Sequence, residues 1–362
     1  VTGYDAARGE LENFPVLVRI PAGRVADNSQ LAFFDENGTF LPYEIDTWNA
    51  NGESLVWVLV PSFYQNVKIT LASGNEGWTA PNLAHTLWRM AGYVAVLHLG
   101  EDGPEFAGST VQNIDGLGQL ANGTDAGVAN KVAGAVGPAR LISDTAGWDK
   151  ARIKVDNFEG YLDNLANMTV SLWTKHSAEL QVGDSERIFG NRSNLEDQAS
   201  GFNVSTYTGV TDKIPVLQAR GNPTLNSSAG LDKFIVVKPS TGTNVSWSDT
   251  WTHLSFSFNY TPNPTIFHIG GERAAISPNG SGNAIQTTAF ASILANDTPI
   301  SFGNSYDEGQ SGLGFKGAID EIRIRNGSVS DDWSFAENAT VADNLFMVSE
   351  ATIAIAQTKD KY

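Results

Sequence analysis

The chain has 362 residues, 41% of them apolar and 17% charged, with no cysteine and a formal net charge of -17 at pH 7. This length predicts two domains, and the negative charge argues against partners such as nucleic acid or an anionic membrane surface, which would repel the chain. Without cysteine, disulfides, a thiolate nucleophile and cysteine-ligated metal sites are excluded.

The first predicted domain covers residues 1–75, where short β-rich runs alternate with turn signals such as "ENGT" and "NANGE". Aromatic and β-branched residues are frequent in these runs, and their spacing predicts a small antiparallel β-sandwich. The runs cover residues 13–20, 30–35, 42–48, 54–61 and 66–72.

The motifs of this block form a characteristic set. They are Gly3-Tyr4, "NFPVLVRI", "LPYEIDTWN", "VWVLVP" and a closing "ITL" followed by Gly74-Asn75. In this combination the block resembles a bacterial and archaeal domain of unknown function that occurs in surface proteins, often directly before a laminin-G-like domain. That family has no established chemistry to carry over.

The stretch 76–91 contains Pro81 and no clear β alternation, so it is predicted to be a linker with one helical turn. The second predicted domain, residues 92–348, contains a series of strand-like runs. They are "YVAVLHLGED", "GPARLI", "MTVSLWTKH", "ERIFGNRS", "GFNVS", "WTHLSFSFN" and "GFKGAIDEIRI". In this order they resemble a laminin-G-like, concanavalin A-type jelly roll, an architecture that hosts lectins, hydrolases and structural modules alike.

Period-two patterns support the all-β fold class independently of this resemblance. Leu254, Phe256 and Phe258 alternate with polar neighbours, and no long amphipathic helix is predicted. The C-terminal tail, residues 349–362, contains the alternating run "ATIAIAQT". We expect this run either to close the sheet of its own domain or to add a strand to a neighbouring molecule.

Asp320 is the carboxylate that the sequence singles out, because it lies in the C-terminal strand run "GAIDEIRI". Strict alternation places Asp320 on the same side as Ile322 and Ile324, and an inward carboxylate needs a counter-charge or several donors. The jelly-roll resemblance implies a structural Ca²⁺ ion at Asp320, with Glu101 and Asp102 as further oxygen ligands. The alternative is an Asp320 that accepts hydrogen bonds from the backbone or from a nearby arginine.

Loop residues provide candidates for glycan contact. Trp148 and Trp247 lie in loop-like contexts where an aromatic ring is able to stack on a sugar, and Asp307 lies in the loop "NSYDEGQSG". The competing interpretation is that these residues are ordinary solvated members of turn-rich loops.

Asn-x-Ser/Thr triplets are unusually frequent, which is typical of an exported and glycosylated chain. The alternative is a turn-rich β protein that uses Asn and Thr for other reasons. The candidate glycosylation sites are Asn37, Asn122, Asn167, Asn191, Asn203, Asn226, Asn244, Asn259, Asn279, Asn296, Asn326 and Asn338.

Catalytic signatures are weak. Glycosidases need two carboxylates across a cleft, and the Glu-x-Asp-x-x-Glu strand motif of related jelly-roll hydrolases does not occur. A Gly-x-Ser-x-Gly nucleophile motif does not occur either, and the histidines do not have the paired spacing of a zinc hydrolase. These histidines are His85, His98, His176, His253 and His268.

The sequence therefore predicts a non-catalytic extracellular or cell-surface protein with a structural and adhesive role, in which a filament or other assembly forms by self-association or with other surface proteins. Glycans are further expected partners, whereas nucleic acid binding and membrane insertion are not expected. The alternatives from other classes are a soluble lectin-like module and, less favoured, a glycoside hydrolase.

Overall fold

The computed structural model describes the following parts of the chain: residues 1–74, 81, 83–102, 105–106, 111–112, 119–120, 123–125, 130–142, 152–155, 167–176, 186–191, 201–208, 213–220, 234–237, 249–259, 266–274, 300–304 and 314–342.

The N-terminal part is built from short strands and one helix. The strands are Leu11–Ile20 (β1), Ala32–Phe34 (β2), Tyr43–Thr47 (β3), Ser54–Phe63 (β4) and Thr70–Ala72 (β5), with a 3-10 turn at Asn28–Gln30 and the helix Ala84–Met90 (α1). β1, β4 and β3 form an antiparallel sheet of three strands, and β2 pairs with β5. The predicted small antiparallel sandwich is confirmed.

The second part begins with Tyr93–Leu97 (β6) and ends with the helix Asp331–Val341 (α2). The strands between them are Glu105–Phe106 (β7), Val111–Gln112 (β8), Gln119–Leu120 (β9), Gly123–Asp125 (β10), Asn130–Ala133 (β11), Pro138–Ile142 (β12), Ile153–Val155 (β13), Asn167–His176 (β14), Arg187–Gly190 (β15), Gly201–Thr208 (β16), Lys213–Arg220 (β17), Phe234–Val237 (β18), Thr252–Asn259 (β19), Ile266–Ile269 (β20), Glu272–Arg273 (β21), Ser301–Phe302 (β22) and Gly317–Asn326 (β23).

Two eight-stranded sheets form the larger sandwich. The outer sheet has the order β18-β17-β16-β15-β22-β13-β10-β7, and the inner sheet has the order β11-β12-β23-β14-β19-β20-β21, with β6 paired to β23. All pairings between these strands are antiparallel. The predicted fold class, an all-β chain with a small sandwich and a larger jelly-roll sandwich, is therefore confirmed.

The core of the larger sandwich lies between its two sheets. Leu254, Phe256 and Phe258 on β19 all belong to it, as the alternation predicted, together with Val170 and Leu172 on the neighbouring β14. The polar residues between them, such as Ser255, are nevertheless buried. The inner sheet is therefore covered on both faces.

A second hydrophobic core covers the other face of the inner sheet and is shared by both parts of the chain. Trp57 on β4, Trp88 on α1, Trp173 on β14 and Trp333 on α2 all belong to this one cluster. The stretch predicted as a linker thus contains α1, whose Trp88 is fully buried. We call the contact between the small sandwich and this face of the inner sheet the interface.

β23 departs from strict alternation. Ile319, Ile322 and Ile324 all point into the core of the larger sandwich, so one extra residue is accommodated between the first two. The pairing with β14 shifts at this point, and Glu321 has a φ of 50°. The expectation that Asp320 shares the face of Ile322 and Ile324 is therefore wrong, because this bulge turns both Asp320 and Glu321 towards the interface.

In the part of the chain that the structure describes, neither helix has the length and apolar character needed to cross a membrane.

Candidate functional site

Ionisable side chains from three strands meet at the interface. We call this group the interface cluster, and it consists of Glu44, Asp46, His98, Glu321 and Arg323. Glu44 and Asp46 lie two positions apart on β3, and both carboxylates contact the His98 ring. His98 directly follows β6, and β23 supplies the glutamate and the arginine of the bulge region.

His98 occupies the centre of the interface cluster. Its Nδ1 lies 2.7 Å from Glu321 Oε1 and 3.2 Å from Asp46 Oδ2, and its Nε2 lies 3.1 Å from Glu44 Oε2. Burial by itself would lower the pKa of His98, but the three surrounding carboxylates raise the pKa well above its usual value. In the absence of another cation, His98 is therefore an imidazolium that donates on both sides.

Arg323 provides the second positive charge of the cluster. Its Nη2 lies 2.6 Å from Glu321 Oε2, and its guanidinium carbon lies 4.2 Å from the ring centre of Trp57 and 4.9 Å from that of Trp88. Burial would raise the pKa of Glu321, yet His98 and Arg323 together lower it to about 2. Glu321 is therefore a carboxylate at neutral pH, held between two cationic groups.

Asp46 has fewer cationic neighbours than Glu321. Thr47 Oγ1 donates to Asp46 Oδ1 at 2.9 Å, and Trp57 Nε1 donates to Oδ2 at 3.4 Å. Burial raises the pKa of Asp46 to about 6, although the charge of His98 acts in the opposite direction. The three carboxylates of the cluster therefore carry more negative charge than Arg323 and His98 neutralise.

Asp320 is fully buried and is bound by backbone amides. Its Oδ2 accepts hydrogen bonds from the amides of Ala135 at 2.8 Å and Val136 at 2.9 Å, and its Oδ1 accepts one from the amide of Glu321 at 2.9 Å. Burial, followed by the charge of Glu321, raises the pKa of Asp320 well above its usual value. This geometry corresponds to the hydrogen-bonded alternative that the sequence left open.

The other two predicted calcium ligands have different partners. Asp102 Oδ1 lies 3.0 Å from Lys131 Nζ, and the side chain of Asp102 is 95% exposed. The backbone carbonyl of Glu101 accepts a hydrogen bond from the side chain of Arg140. Among the described residues, the group of histidine and acidic side chains whose ligand atoms lie within 4.8 Å of one another is Asp46, His98 and Glu321. Calcium binding at Asp320, Glu101 and Asp102 stays a prediction.

A second buried group ties α2 to the inner sheet. Glu337 Oε1 accepts hydrogen bonds from Ser171 Oγ at 2.9 Å and Tyr93 OH at 3.0 Å, and Arg323 Nη1 lies 3.4 Å from the same oxygen. Burial would raise the pKa of Glu337, but the neighbouring His253, Arg323 and Ser171 lower it to about 2. His253 Nε2 lies 3.6 Å from Glu337 Oε2.

A third pair lies inside the larger sandwich. His176 Nε2 lies 2.7 Å from Glu186 Oε2, and both side chains are 2% exposed. Lys316 contacts Glu186 through its ammonium group at 3.3 Å and through its backbone amide at 3.0 Å. These contacts connect β14, β15 and the start of β23 within one sandwich and do not reach the interface.

The sequence spacing of the histidines does not indicate the interface cluster. The partners of His98 lie 54 and 223 positions away, so no spacing rule could join them. A signal was nevertheless present, because "YEID" and "DEIR" each place two ionisable residues at alternate positions of a strand with apolar neighbours. Such a pattern predicts a second covered face of the sheet.

The glycan-contact candidates Trp148, Trp247 and Asp307 lie outside the described residues.

Of the candidate glycosylation sites, Asn37 and Asn326 are exposed, whereas Asn191 is only 2% exposed and is not placed to carry a glycan in the folded chain. Asn167, Asn203 and Asn259 lie in strands, and Asn338 is half-buried on α2. The sites outside the described residues are Asn122, Asn226, Asn244, Asn279 and Asn296.

Comparison with protein families gives one match. Residues 27–90 match the model described as "Domain of unknown function (DUF2341)". This confirms the resemblance of the N-terminal part to a domain of unknown function, and the match extends through the end of α1 rather than stopping at residue 75. The position of α1 in the shared core agrees with this longer extent. No curated protein matches the chain.

Several solved structures are similar to the chain. Domain 4 of AbnA, a GH43 extracellular arabinanase from Geobacillus stearothermophilus, is 20% identical with a TM-score of 0.38, covering 59% of this chain and 86% of that one. The binding domain of Paraclostridial Mosquitocidal Protein 1 is 14% identical with a TM-score of 0.46, and the match covers 69% of this chain and 52% of that one. The Trypanosoma rangeli sialidase is 12% identical with a TM-score of 0.45, and the match covers 84% of this chain and 43% of that one. This chain thus spans about half of the last two.

Proposed function

We propose that the chain is a non-catalytic structural unit of an extracellular or cell-surface assembly, in which the small sandwich and the larger sandwich act as one rigid body. The observation that carries this proposal is the hydrophobic core that residues of both parts share. A flexible pair of modules would instead have separate cores joined by a solvated linker.

The apolar contacts of the interface support a permanent connection. Phe14 of β1 packs edge-on against Trp333 of α2 at 5.1 Å between ring centres, and Trp88 of α1 packs edge-on against Tyr93 of β6 at 5.5 Å. All four side chains are at most 4% exposed. Truncating a buried aromatic residue typically costs about 3–5 kcal/mol, so such contacts oppose separation of the two parts.

The polar contacts act in the same direction. His98 of the larger sandwich contacts the carboxylates of Glu44 and Asp46 of the small one, and Leu17 N of β1 donates to Thr340 Oγ1 of α2 at 2.8 Å. Separating the parts would leave buried charges without partners, which is strongly unfavourable. A module that transmits tension between neighbours in an assembly needs this kind of internal connection.

Self-association is tested by comparing the purified full chain with a version that ends at Val348. The shorter version retains α2 and every described residue. We expect the full chain to form filaments or other regular assemblies in electron microscopy and the truncated chain to remain monomeric in light scattering. Dispersed monomers in both samples would contradict the proposal, and glycan arrays would then test the lectin alternative.

A further inference from the structure

We propose that Asp46, His98 and Glu321 form a binding site for one divalent transition-metal ion of the zinc class, which joins the small sandwich to the larger one. The site goes beyond the structural role proposed above and does not depend on assembly. It also differs in position and in ligand chemistry from the calcium site that the sequence predicted at Asp320.

The ligand atoms already face one another. His98 Nδ1 lies 2.7 Å from Glu321 Oε1 and 3.2 Å from Asp46 Oδ2, and all three ligand atoms lie within 4.8 Å of one another. Zinc bonds of about 2.0–2.2 Å at the tetrahedral angle place ligand atoms roughly 3.4 Å apart. His98 Nδ1 and Glu321 Oε1 must therefore move apart to admit an ion, a change that rotation of the side chains supplies.

His98 and Glu321 are each held by a second contact on an atom other than the one that faces the ion. Glu44 Oε2 lies 3.1 Å from His98 Nε2, on the opposite side of the ring from Nδ1, and Trp88 Nε1 in turn donates to Glu44. A metal-binding histidine commonly donates its other N–H to a carboxylate in this way. Arg323 binds Oε2 of Glu321 rather than Oε1, so the inward oxygen keeps its lone pairs for an ion.

The charges of the cluster also favour a cation. Glu44, Asp46 and Glu321 bring three carboxylates to the cluster, whereas Arg323 brings one guanidinium. A divalent ion adds positive charge where burial makes uncompensated negative charge costly. The imidazole nitrogen selects a metal of the zinc class, because calcium and magnesium prefer oxygen ligands only.

The outer residues of the site, His98 and Glu44, are partly exposed to solvent. The side chain of His98 is 14% exposed and that of Glu44 is 17% exposed, whereas those of Asp46 and Glu321 are 4% and 1% exposed. An ion is therefore able to enter past His98 and reach ligands that the fold has already placed. Because the ligands come from β3, β6 and β23, its binding would stabilise the contact between the two parts.

The test uses the purified full chain after treatment with a chelator. We expect equilibrium dialysis to show one Co²⁺ ion bound per chain, and absorption spectra of the bound ion to show d–d bands. Zn²⁺ should displace this Co²⁺, whereas an excess of Ca²⁺ should not. Zn²⁺ should also raise the melting temperature. Absence of Co²⁺ binding, or displacement by Ca²⁺, would overturn the proposal and leave the cluster as a purely hydrogen-bonded contact.

Variants assign the binding to these residues. His98→Gln should abolish Co²⁺ binding, whereas His268→Gln should retain it, because His268 Nε2 contacts a single carboxylate, Asp331, at 2.8 Å outside the cluster. Glu44→Gln keeps all three ligands and should weaken binding by about 10–100-fold, which keeps the test decisive if His98→Gln does not fold. Unchanged affinity in Glu44→Gln, or unchanged stoichiometry in His98→Gln, would contradict the assignment.

Discussion

At the residue scale, Glu321 is the position on which the interface cluster depends. Its φ of 50° is in the left-handed region, which costs a non-glycine residue roughly 1–2 kcal/mol. The bonds to His98 and Arg323 offset this cost, since they exist only when the bulge turns the carboxylate towards the interface. Alternation in the sequence could not predict this placement, because a bulge changes the face of every residue after it.

The turn before β12 makes a prediction about a single glycine. A Cβ atom on Gly134 would lie 2.4 Å from Asp320 Oδ2, and that carboxylate cannot move away because three backbone amides hold it. We expect Gly134→Ala to lower the free energy of unfolding by roughly 1–3 kcal/mol in urea titrations.

Gly100→Ala provides the matched control for this substitution. The nearest atom to a Cβ on Gly100 is Pro138 Cδ at 3.6 Å, an ordinary contact. The free energy of unfolding of Gly100→Ala should stay within about 0.5 kcal/mol of that of the original chain. Equal effects of the two substitutions would show that the approach of Gly134 to Asp320 is not tight.

At the element scale, the strands were predictable and α2 was not, while α1 was expected only as one helical turn. The alternation in β19 predicted its core face correctly, because Leu254, Phe256 and Phe258 follow one another at every second position of that strand. α2 has no comparable apolar stripe, since the residues it buries include Ser334, Glu337 and Thr340 beside Trp333. Its buried polar residues find partners on β1 and the inner sheet, which a sequence does not display.

Glu337 gives α2 a pH-dependent contribution to stability. Its pKa in the folded chain, about 2, is below its usual value of 4.5, so its contribution is present above pH 4.5 and is lost as the pH falls towards 2. The full contribution is on the order of 3 kcal/mol. We expect Glu337→Gln to be less stable at pH 7 and to lose less stability than the original chain between pH 5 and pH 3.

The measurement is the free energy of unfolding in urea at several pH values, with Glu272→Gln as the control. Glu272 is a glutamate of the same part of the chain whose side chain is 68% exposed and contacts Arg8. That variant should follow the original chain within about 0.5 kcal/mol. If Glu337→Gln had the same pH slope as the original chain, the ion-pair environment described for Glu337 would be incorrect.

The start of α2 makes a prediction about helix capping. Ser330 Oγ accepts a hydrogen bond from the backbone amide of Trp333 at 3.1 Å, and Asp331 and Asp332 follow in the first turn. Ser330→Ala should lower the free energy of unfolding by about 1 kcal/mol, whereas Ser330→Asp, which keeps a capping oxygen, should retain most of it. Equal losses in thermal unfolding of the two variants would argue against the cap.

At the scale of the whole molecule, the shared core determines how the chain behaves. The sequence predicted two sandwiches with a linker between them, and the two sandwiches are present. What the sequence did not show is that α1 and α2 pack between them, since Leu87, Trp88 and Trp333 look like ordinary apolar residues until their partners are known. The interface cluster escaped prediction for the same reason, because its members come from distant strands.

This shared core predicts how the full chain unfolds. The buried aromatic and ionic contacts of the interface lose their partners when either part unfolds, so neither part should remain folded without the other. Differential scanning calorimetry of the full chain tests this directly. The account predicts one transition whose calorimetric and van't Hoff enthalpies agree, and two separate transitions, one for each sandwich, would contradict it.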